Sequence, residues 1–180
     1  AYTEYGEFNE QKEEDEDAQF LQHGRLFGVS LGLGDEIVTG NRGILWQGGF
    51  PLVDFKVHYW FDFHFALDLG VFVVSHFFNT TQTGATNVSI VRVGLDVKYY
   101  FDTRNLAAPL SFANPYVLVG AGSYNKTQFA PTSGNGPDQD TGLEVSPGLG
   151  VEFAMARHLL LAIDGQEHFV TYKDTDVATF

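Results

Sequence analysis

The sequence predicts an all-β fold, an antiparallel up-and-down transmembrane β-barrel of eight strands preceded by an acidic N-terminal extension. Three observations lead to this prediction. The composition, with 15% aromatic residues, 20 glycines and one methionine, favours strands and tight turns over helices. Several segments alternate apolar and polar residues with the period of two that is typical of a strand. No run of about 18 apolar residues exists, which excludes a transmembrane helix.

The segment 88–101 shows this alternation most clearly. Its apolar parity consists of Val91, Val93, Leu95, Val97, Tyr99 and Phe101, and the other parity consists of Arg92, Gly94, Asp96, Lys98 and Tyr100. A soluble barrel or sandwich usually covers its outer face with Thr, Lys, Glu and Ser. A face of mixed charge interleaved with glycine instead favours lipid outside and a polar interior.

Three strands precede this segment. The range 25–34 alternates valine and leucine with serine and glycine in its second half, and a Gly-rich loop follows to about Gly49. The range 51–60 alternates apolar residues with aspartate, lysine and histidine. A tight turn at 61–63 then leads into a third strand over 64–77.

Two more strands follow the segment 88–101, which itself comes after a polar loop over 79–87. The range 115–129 contains a Val-Leu-Val-Gly-Ala-Gly run. The range 131–141, rich in Pro, Gly, Ser and Asp, is the clearest loop in the chain. The strand over 143–153 alternates again, with leucine and valine opposite glutamate and glycine.

The seventh strand covers 159–169, after a turn at 155–158. An eighth strand is not evident, because residues 172–180 are too few and too polar to cross a membrane. We therefore expect the closing strand to lie beyond the given chain or to be formed by an unusual segment.

The net charge of −13 is concentrated at the N-terminus. Residues 1–20 hold eight acidic residues and one lysine, which gives −7 and leaves −6 for the rest. Such a block resists compaction, so residues 1–22 are predicted to be a solvated or partly helical extension, or an arm for a cationic partner, and residues 23–180 to be the barrel domain. The acidic balance excludes nucleic acid as a partner. The absence of cysteine excludes disulfides and thiolate metal sites and is compatible with an oxidising periplasm.

Part of the chain resembles a known family. The segments 114–122, 148–153 and 159–164 (Asn-Pro-Tyr-Val-Leu-Val-Gly-Ala-Gly, Gly-Leu-Gly-Val-Glu-Phe and Leu-Leu-Leu-Ala-Ile-Asp) resemble strands of the small outer-membrane barrels related to outer membrane protein A. The resemblance covers about residues 25–170. It implies an eight-stranded antiparallel barrel with a closed polar interior, in the outer membrane of a Gram-negative bacterium. Peptidoglycan anchoring is not implied, because the separate domain that carries it in some relatives is absent from this sequence.

The inward-facing polar residues are the candidates for chemistry. The predicted interior network consists of Asp54, Lys56, His58, Asp68, Arg92, Asp96, Lys98, Glu144, Glu152 and Asp164. If the flanking hairpins centre on Asp62 and Thr83, Asp68 lies between Lys56 and Lys98. These residues are expected to fill the interior as paired charges rather than to catalyse, with Gly70, Gly94, Gly148 and Gly150 giving them room. No cofactor motif and no close metal-ligand spacing is present, so neither is predicted.

Aromatic residues cluster at strand ends. The predicted girdle at one membrane interface consists of Tyr59, Trp60, Phe63, Tyr99 and Phe101, with Phe77 and Phe78 at the opposite rim.

The function expected from these features is structural or surface-interacting and not catalytic, with the loops at about 35–48, 79–87 and 130–141 facing outward. Its partners would be outer-membrane lipid and a protein or surface reached through these loops. A soluble lipocalin-like ligand barrel is the alternative, with the apolar parity lining a cavity. An outer-membrane lipid-modifying enzyme is a further alternative, but the adjacent Ser75 and His76 point to opposite faces of their strand. An open pore is not expected, because long side chains fill an eight-stranded interior.

Overall fold

A computed structural model describes residues 27–43, 45–62, 64–80, 84–102, 113–129, 137–156 and 159–172. The acidic extension and Phe63 lie outside the described residues. The strands are β1 (Phe27–Gly34), β2 (Gln47–Gly48), β3 (Leu52–Trp60), β4 (Phe65–Thr80), β5 (Gly84–Tyr100), β6 (Ala113–Phe129), β7 (Asp138–Ala156), β8 (Leu159–Gln166) and β9 (Phe169–Thr171), and one helical turn, α1, covers Gly40–Gly43.

The strands form one antiparallel up-and-down sheet in the order β1-β3-β4-β5-β6-β7-β8. Two short strands extend it. Strand β2 pairs with His76 and Phe77 near the C-terminal end of β4, and we call this end of the sheet the upper end. Strand β9 pairs with residues 143–145 of β7, beyond the part of β7 that pairs with β8. The prediction of an all-β, antiparallel, up-and-down fold is confirmed, and the seven strands read from the sequence each correspond to one strand of this path. Within the described residues no pairing joins β1 to β8, so the eight-stranded closed barrel stays a prediction.

Two predicted loops were too long. The predicted loop at 79–87 is mostly strand, since β4 continues to Thr80 and β5 begins at Gly84, with Thr80 paired to Gly84. Likewise β7 begins at Asp138, inside the predicted loop at 130–141. Ladder hydrogen bonds join backbone groups, so polar turn-forming residues extend a hairpin as readily as apolar ones where both neighbours continue.

The predicted registers of both hairpins were wrong by two residues. Asp68 is opposite His58 on β3 and Asp96 on β5, instead of opposite Lys56 and Lys98. A slip of two positions keeps every side chain on its predicted face, because the side-chain period of a strand is two. The assignment of faces therefore survives, although the partners change.

The two faces of the sheet differ in chemistry. The concave face buries charged groups, with Asp68 at 0% exposure, whereas the convex face leaves apolar residues such as Leu31 78% exposed. On the concave face the charged layer lies between two apolar clusters. The lower cluster contains Ala66, Tyr100, Tyr116 and Leu118 packed against Trp60, and the upper cluster contains Phe72, Val74, Val88, Ile90 and Tyr124.

Candidate functional site

Arg92 on β5 is the centre of the buried charged layer. Its Nη2 donates to Asp96 Oδ1 at 2.6 Å and its Nε donates to Glu144 Oε2 at 2.7 Å. Asp96 lies four residues farther along the same strand, and Glu144 is on β7, two strands away. Each carboxylate has a second partner. Gln166 Nε2, at the end of β8, donates to Asp96 Oδ2 at 3.4 Å, and His168 Nδ1, just after β8, lies 2.7 Å from Glu144 Oε1.

Asp68 on β4 organises a second group. Its Oδ1 lies 2.6 Å from His58 Nδ1, and the other ring nitrogen of His58 lies 2.7 Å from Ser30 Oγ on β1. Its Oδ2 has no well-formed hydrogen bond among the described residues, but the ammonium of Lys98 lies 2.8 Å away and balances the charge. Asp68 thus lies between a histidine and a lysine, which corrects the predicted pair of lysines.

Lys98 links this group to the lower apolar cluster. Its Nζ lies 3.3 Å from Glu152 Oε1 and 4.5 Å from the centroid of the Tyr116 ring. The hydroxyl of Tyr100 donates to the same oxygen of Glu152 at 2.8 Å. The ammonium therefore has a carboxylate on each side and an aromatic face above it, as a desolvated cation requires.

Lys56 on β3 connects distant parts of the sheet. Its Nζ lies 3.1 Å from Asp54 Oδ2 on the same strand and 3.6 Å from Asp164 Oδ2 on β8. Tyr116 donates to Asp164 Oδ2 at 3.1 Å. Because β8 is one edge strand of the sheet and β3 is next to the other edge strand, β1, this contact means that the sheet curls back on itself.

These contacts form three charged groups, one around Arg92, one around Asp68 and Lys98, and one around Lys56. All ten predicted interior residues belong to them. The sequence analysis missed six of their partners: Ser30, Tyr100, Tyr116, Ser146, Gln166 and His168. The signal for Tyr100 was present, since it shares the parity of Arg92 and Lys98. His168 lies in the short break between β8 and β9, where the alternation of a strand does not predict which face a side chain occupies.

Glycines leave space for the long side chains. A Cβ at Gly94 would lie 2.5 Å from Arg92 Cζ, and one at Gly150 would lie 2.5 Å from the Tyr116 hydroxyl. A Cβ at Gly120 would collide with the Asp96 carboxylate. The small residues and the long charged residues of this face are therefore matched to each other.

The segment between β1 and β3 folds over the upper end of the concave face. The carboxylate of Glu36 accepts a hydrogen bond from Tyr124 Oη at 2.6 Å and lies 2.7 Å from His76 Nε2. The backbone fixes this segment, because Glu36 N donates to Gly49 O and Gly49 N donates to Ser75 O, each at 3.1 Å. Trp46 packs against the upper apolar cluster. This segment therefore lies over the upper end of the concave face, a feature that the sequence analysis missed.

The predicted aromatic girdle divides between the two faces. Tyr99 and Phe101 are exposed on the convex face with their rings 5.4 Å apart, and Tyr59 contacts Phe27 on the same face at 4.9 Å. Trp60 was assigned to the girdle wrongly. It shares the parity of His58, packs on the lower apolar cluster and donates to Tyr100 Oη at 3.4 Å.

A cavity of about 1240 Å³ opens between β1 and β8. Consecutive residues of both strands line it, along 27–34 and 159–166. Neighbouring residues alternate between faces, so a cavity lined by both parities runs along the backbone edges of these strands. Its wall also includes Lys56 and Lys98 of the charged layer and Phe72 and Tyr124 of the upper apolar cluster, so the cavity reaches the concave face. We call this opening the seam.

The adjacent Ser75 and His76 lie on opposite faces of β4. Ser75 is exposed on the convex face and His76 is buried on the concave face, so the two do not form a nucleophile–base pair. In the part of the chain that the structure describes, no group of three or more His, Asp or Glu side chains could hold a metal ion.

The described residues contain no helix of sufficient length and hydropathy to span a membrane.

The convex face changes character along the strands. In its lower part Val93, Leu95 and Val97 are exposed outside while Arg92 and Asp96 are buried inside. One row above Val73 and Val91 the outer positions become polar, with Ser75, Ser89, Thr127 and Gln139. Behind this row Val74, Val88 and Ile90 are buried, together with the polar His76, Thr86 and Lys126. A single strand such as β5 therefore carries both patterns.

Comparisons with protein-family models, with curated proteins and with solved structures found no match to this chain. The resemblance to the outer membrane protein A family stays a prediction from the segments quoted above.

Proposed function

We propose that this protein is a small β-barrel of the outer membrane of a Gram-negative bacterium, with a packed polar interior and a structural or surface-interaction role rather than a catalytic one. The observation that carries the proposal is the reversal of polarity along the strands. Apolar residues outside and paired charges inside suit a bilayer, whereas polar residues outside and apolar residues inside suit water.

The apolar part of the convex face has the height of a bilayer. Along the line of β5 it extends from Val91 to Phe101, ten residues farther along the chain. At about 3.4 Å per residue and a strand tilt of about 40°, these ten steps correspond to a height of about 26 Å. Membrane barrels carry an outer apolar band of about 25 Å. We call this surface the apolar band.

Each border of the apolar band has the chemistry of a membrane interface. At the lower border lie Phe27, Tyr59, Phe65, Tyr99 and Phe101, which supply the aromatic rings found at the headgroup level of membrane barrels. At the upper border the valines at 73 and 91 give way to serines at 75 and 89. The molecule therefore has a defined depth and orientation in the proposed membrane.

Closure of the barrel needs one further strand. Six antiparallel pairings lead from β1 to β8, so these two edge strands run in the same direction. One additional strand in the seam would be antiparallel to both and would bring the total to eight. Unpaired backbone groups in hydrocarbon cost several kcal/mol each, so a membrane-spanning form requires the seam to be filled.

The interior argues against an open pore and against an enzyme. The three charged groups and two apolar clusters occupy the concave side as paired or packed side chains, and the segment carrying Glu36 lies over its upper end. Lys56, Arg92 and Lys98 each form ion pairs with two carboxylates of the layer, as expected for structural filling. Surface interactions are left to the upper part of the sheet and its connections.

The proposal can be tested with single spin-labelled cysteines, since the chain has none of its own. The label replaces Val93 in the apolar band and, as a matched control on the same face of the same strand, Asn87 above it. After reconstitution in lipid vesicles we expect high oxygen and low water-soluble nickel accessibility at position 93, and the reverse at position 87. Nickel access at both positions would refute the membrane-spanning proposal and favour a soluble barrel.

A further inference from the structure

The seam is bounded by two backbone edges, and neither of them pairs with a further strand among the described residues. Strands β1 and β8 have eight residues each, and both run from the lower end of the sheet to the upper end. A strand placed between them would run downward and could form an antiparallel ladder with each neighbour. Such edges are the surfaces to which proteins add a strand of another chain.

The outer side of the seam requires an apolar occupant. Along one cross-strand row, Leu31 of the edge strand β1 is 78% exposed, whereas Val71 of β4, which has a neighbouring strand on both sides, is 39% exposed. Ile163 on the other edge strand is 64% exposed. In the proposed membrane, apolar residues at alternate positions of an inserted strand would cover the flanks of these side chains and continue the apolar band around the molecule.

The inner side of the seam has an excess of acidic residues. Its described lining includes six Asp or Glu side chains and two lysines, Lys56 and Lys98. Two histidines, His58 and His168, also line it, and the acids would still outnumber the cations if both were protonated. An occupant of the seam therefore meets negative charge on this side.

Asp54 and Asp164 bring this charge to the seam itself. Asp164 belongs to the edge strand β8, and its side chain is 32% exposed. The Asp54 carboxylate lies over β1, because a Cβ at Gly32 would be 3.5 Å from Asp54 Oδ2. Both carboxylates share Lys56, and Tyr116 adds a neutral hydroxyl to Asp164. One ammonium cannot neutralise two carboxylates, so a second cation at this point would relieve an uncompensated charge.

We propose that the seam binds an extended segment of a second polypeptide, with apolar residues at its outer positions and a lysine or arginine at the inner position between Asp54 and Asp164. This rests on the proposed membrane-spanning function, which requires the seam to be filled. The charge of the seam disfavours this chain's own segments as the occupant. Residues 1–20 hold eight acids and one lysine, and residues 173–180 hold two acids and one lysine. Either segment would add acids to a wall that is already acidic.

The test adds a synthetic peptide to the protein in phosphatidylcholine vesicles. The peptide alternates threonine and leucine over about nine residues, with a lysine in place of the central threonine and a fluorophore at its N-terminus. A matched peptide has glutamate in place of this lysine, and binding to vesicles without protein is subtracted. We expect the lysine peptide to bind at least about tenfold more tightly than the glutamate peptide, because only the lysine neutralises the charge of the seam.

Variants of the protein locate the contact. In Asp54→Asn/Asp164→Asn the preference for the lysine peptide should disappear, whereas Asp138→Asn, at the first residue of β7, should keep it. Equal binding of the two peptides to the wild-type protein, or a preference that survives the double substitution, would overturn the proposal. A second measurement does not depend on the folding of the aspartate variants. A cysteine at an outer position of the peptide should form disulfides with Leu31→Cys and with Ile163→Cys on the two edges, and not with Val71→Cys in the middle of the sheet.

Two further outcomes separate the possible failures. If the lysine peptide does not bind and a disulfide joins Leu31→Cys to Ala18→Cys or to Ala178→Cys, this chain fills its own seam and the proposal is overturned. The spin label at position 93 is measured in the same vesicles. Oxygen access at this position without peptide binding refutes the added strand alone, whereas nickel access there refutes the membrane-spanning function itself.

Discussion

Replacing Arg92 by methionine would test whether the charged layer is desolvated. The substitution keeps a long unbranched side chain but removes two charge-assisted hydrogen bonds, of 2.6 Å to Asp96 and 2.7 Å to Glu144. Each such bond contributes about 1.5–3 kcal/mol, and breaking a buried ion pair costs about 3–5 kcal/mol because a charge is left uncompensated. Glu144 keeps His168 and Asp96 keeps Gln166 as partners, so we expect a loss of about 3–4 kcal/mol in the free energy of unfolding.

The assay is urea unfolding in detergent micelles, followed by the fluorescence of Trp46 and Trp60, which pack on the upper and lower apolar clusters. The triple variant Arg92→Met/Asp96→Asn/Glu144→Gln removes the whole charged group and should be more stable than the single variant, since no buried charge stays unpaired. A loss below about 1 kcal/mol for Arg92→Met, the value of a solvated ion pair, would refute the reasoning. It would mean that water fills the interior, and conductance measurements would then become the next step.

Two further substitutions test the packing of the interior and the polarity of the exterior. Gly120→Val should abolish folding into lipid, because its side chain would collide with the carboxylate of Asp96, whereas Gly165→Ala, with no atom within 4 Å of the added Cβ, should fold with wild-type yield. Leu95→Arg, in the middle of the apolar band, should destabilise the protein by about 2–4 kcal/mol in vesicles, against about 0–1 kcal/mol for Asn87→Arg above the band. Equal yields for the two glycine variants, or equal losses for the two arginine variants, would contradict the packing and the membrane depth, respectively.

The sequence was sufficient for the strands and their faces because both depend on a local period. Each of the seven alternating segments forms a strand, and the parity that puts Arg92 and Asp96 inside holds along β5. The period of the alternation does not determine the pairing register of two strands, because the register depends on where each hairpin turns. Consequently Asp68 was expected beside Lys56 and lies beside His58.

Contacts made by irregular segments were beyond the sequence analysis. Glu36 reaches His76 and Tyr124 only because the chain between β1 and β3 folds back over the upper end of the concave face, and no periodic pattern in the sequence predicts that path. His168 reaches Glu144 from a break between two short strands. Extended hairpins such as Thr80–Gly84 were also missed, because polar turn-forming residues have the same composition in a loop and in a paired strand end.

The two apolar clusters on the concave face have unequal surroundings, with a consequence for how the molecule responds to its host bilayer. In the proposed orientation the upper cluster, with Val74 and Val88, lies behind a hydrated exterior and is stabilised by the hydrophobic effect, like the core of a soluble protein. The lower part takes its stability from the match between the apolar band and the hydrocarbon thickness. A thinner or thicker bilayer should therefore change hydrogen exchange in the lower halves of β4 and β5 and leave their upper halves nearly unchanged, so that one continuous strand reports on two solvents.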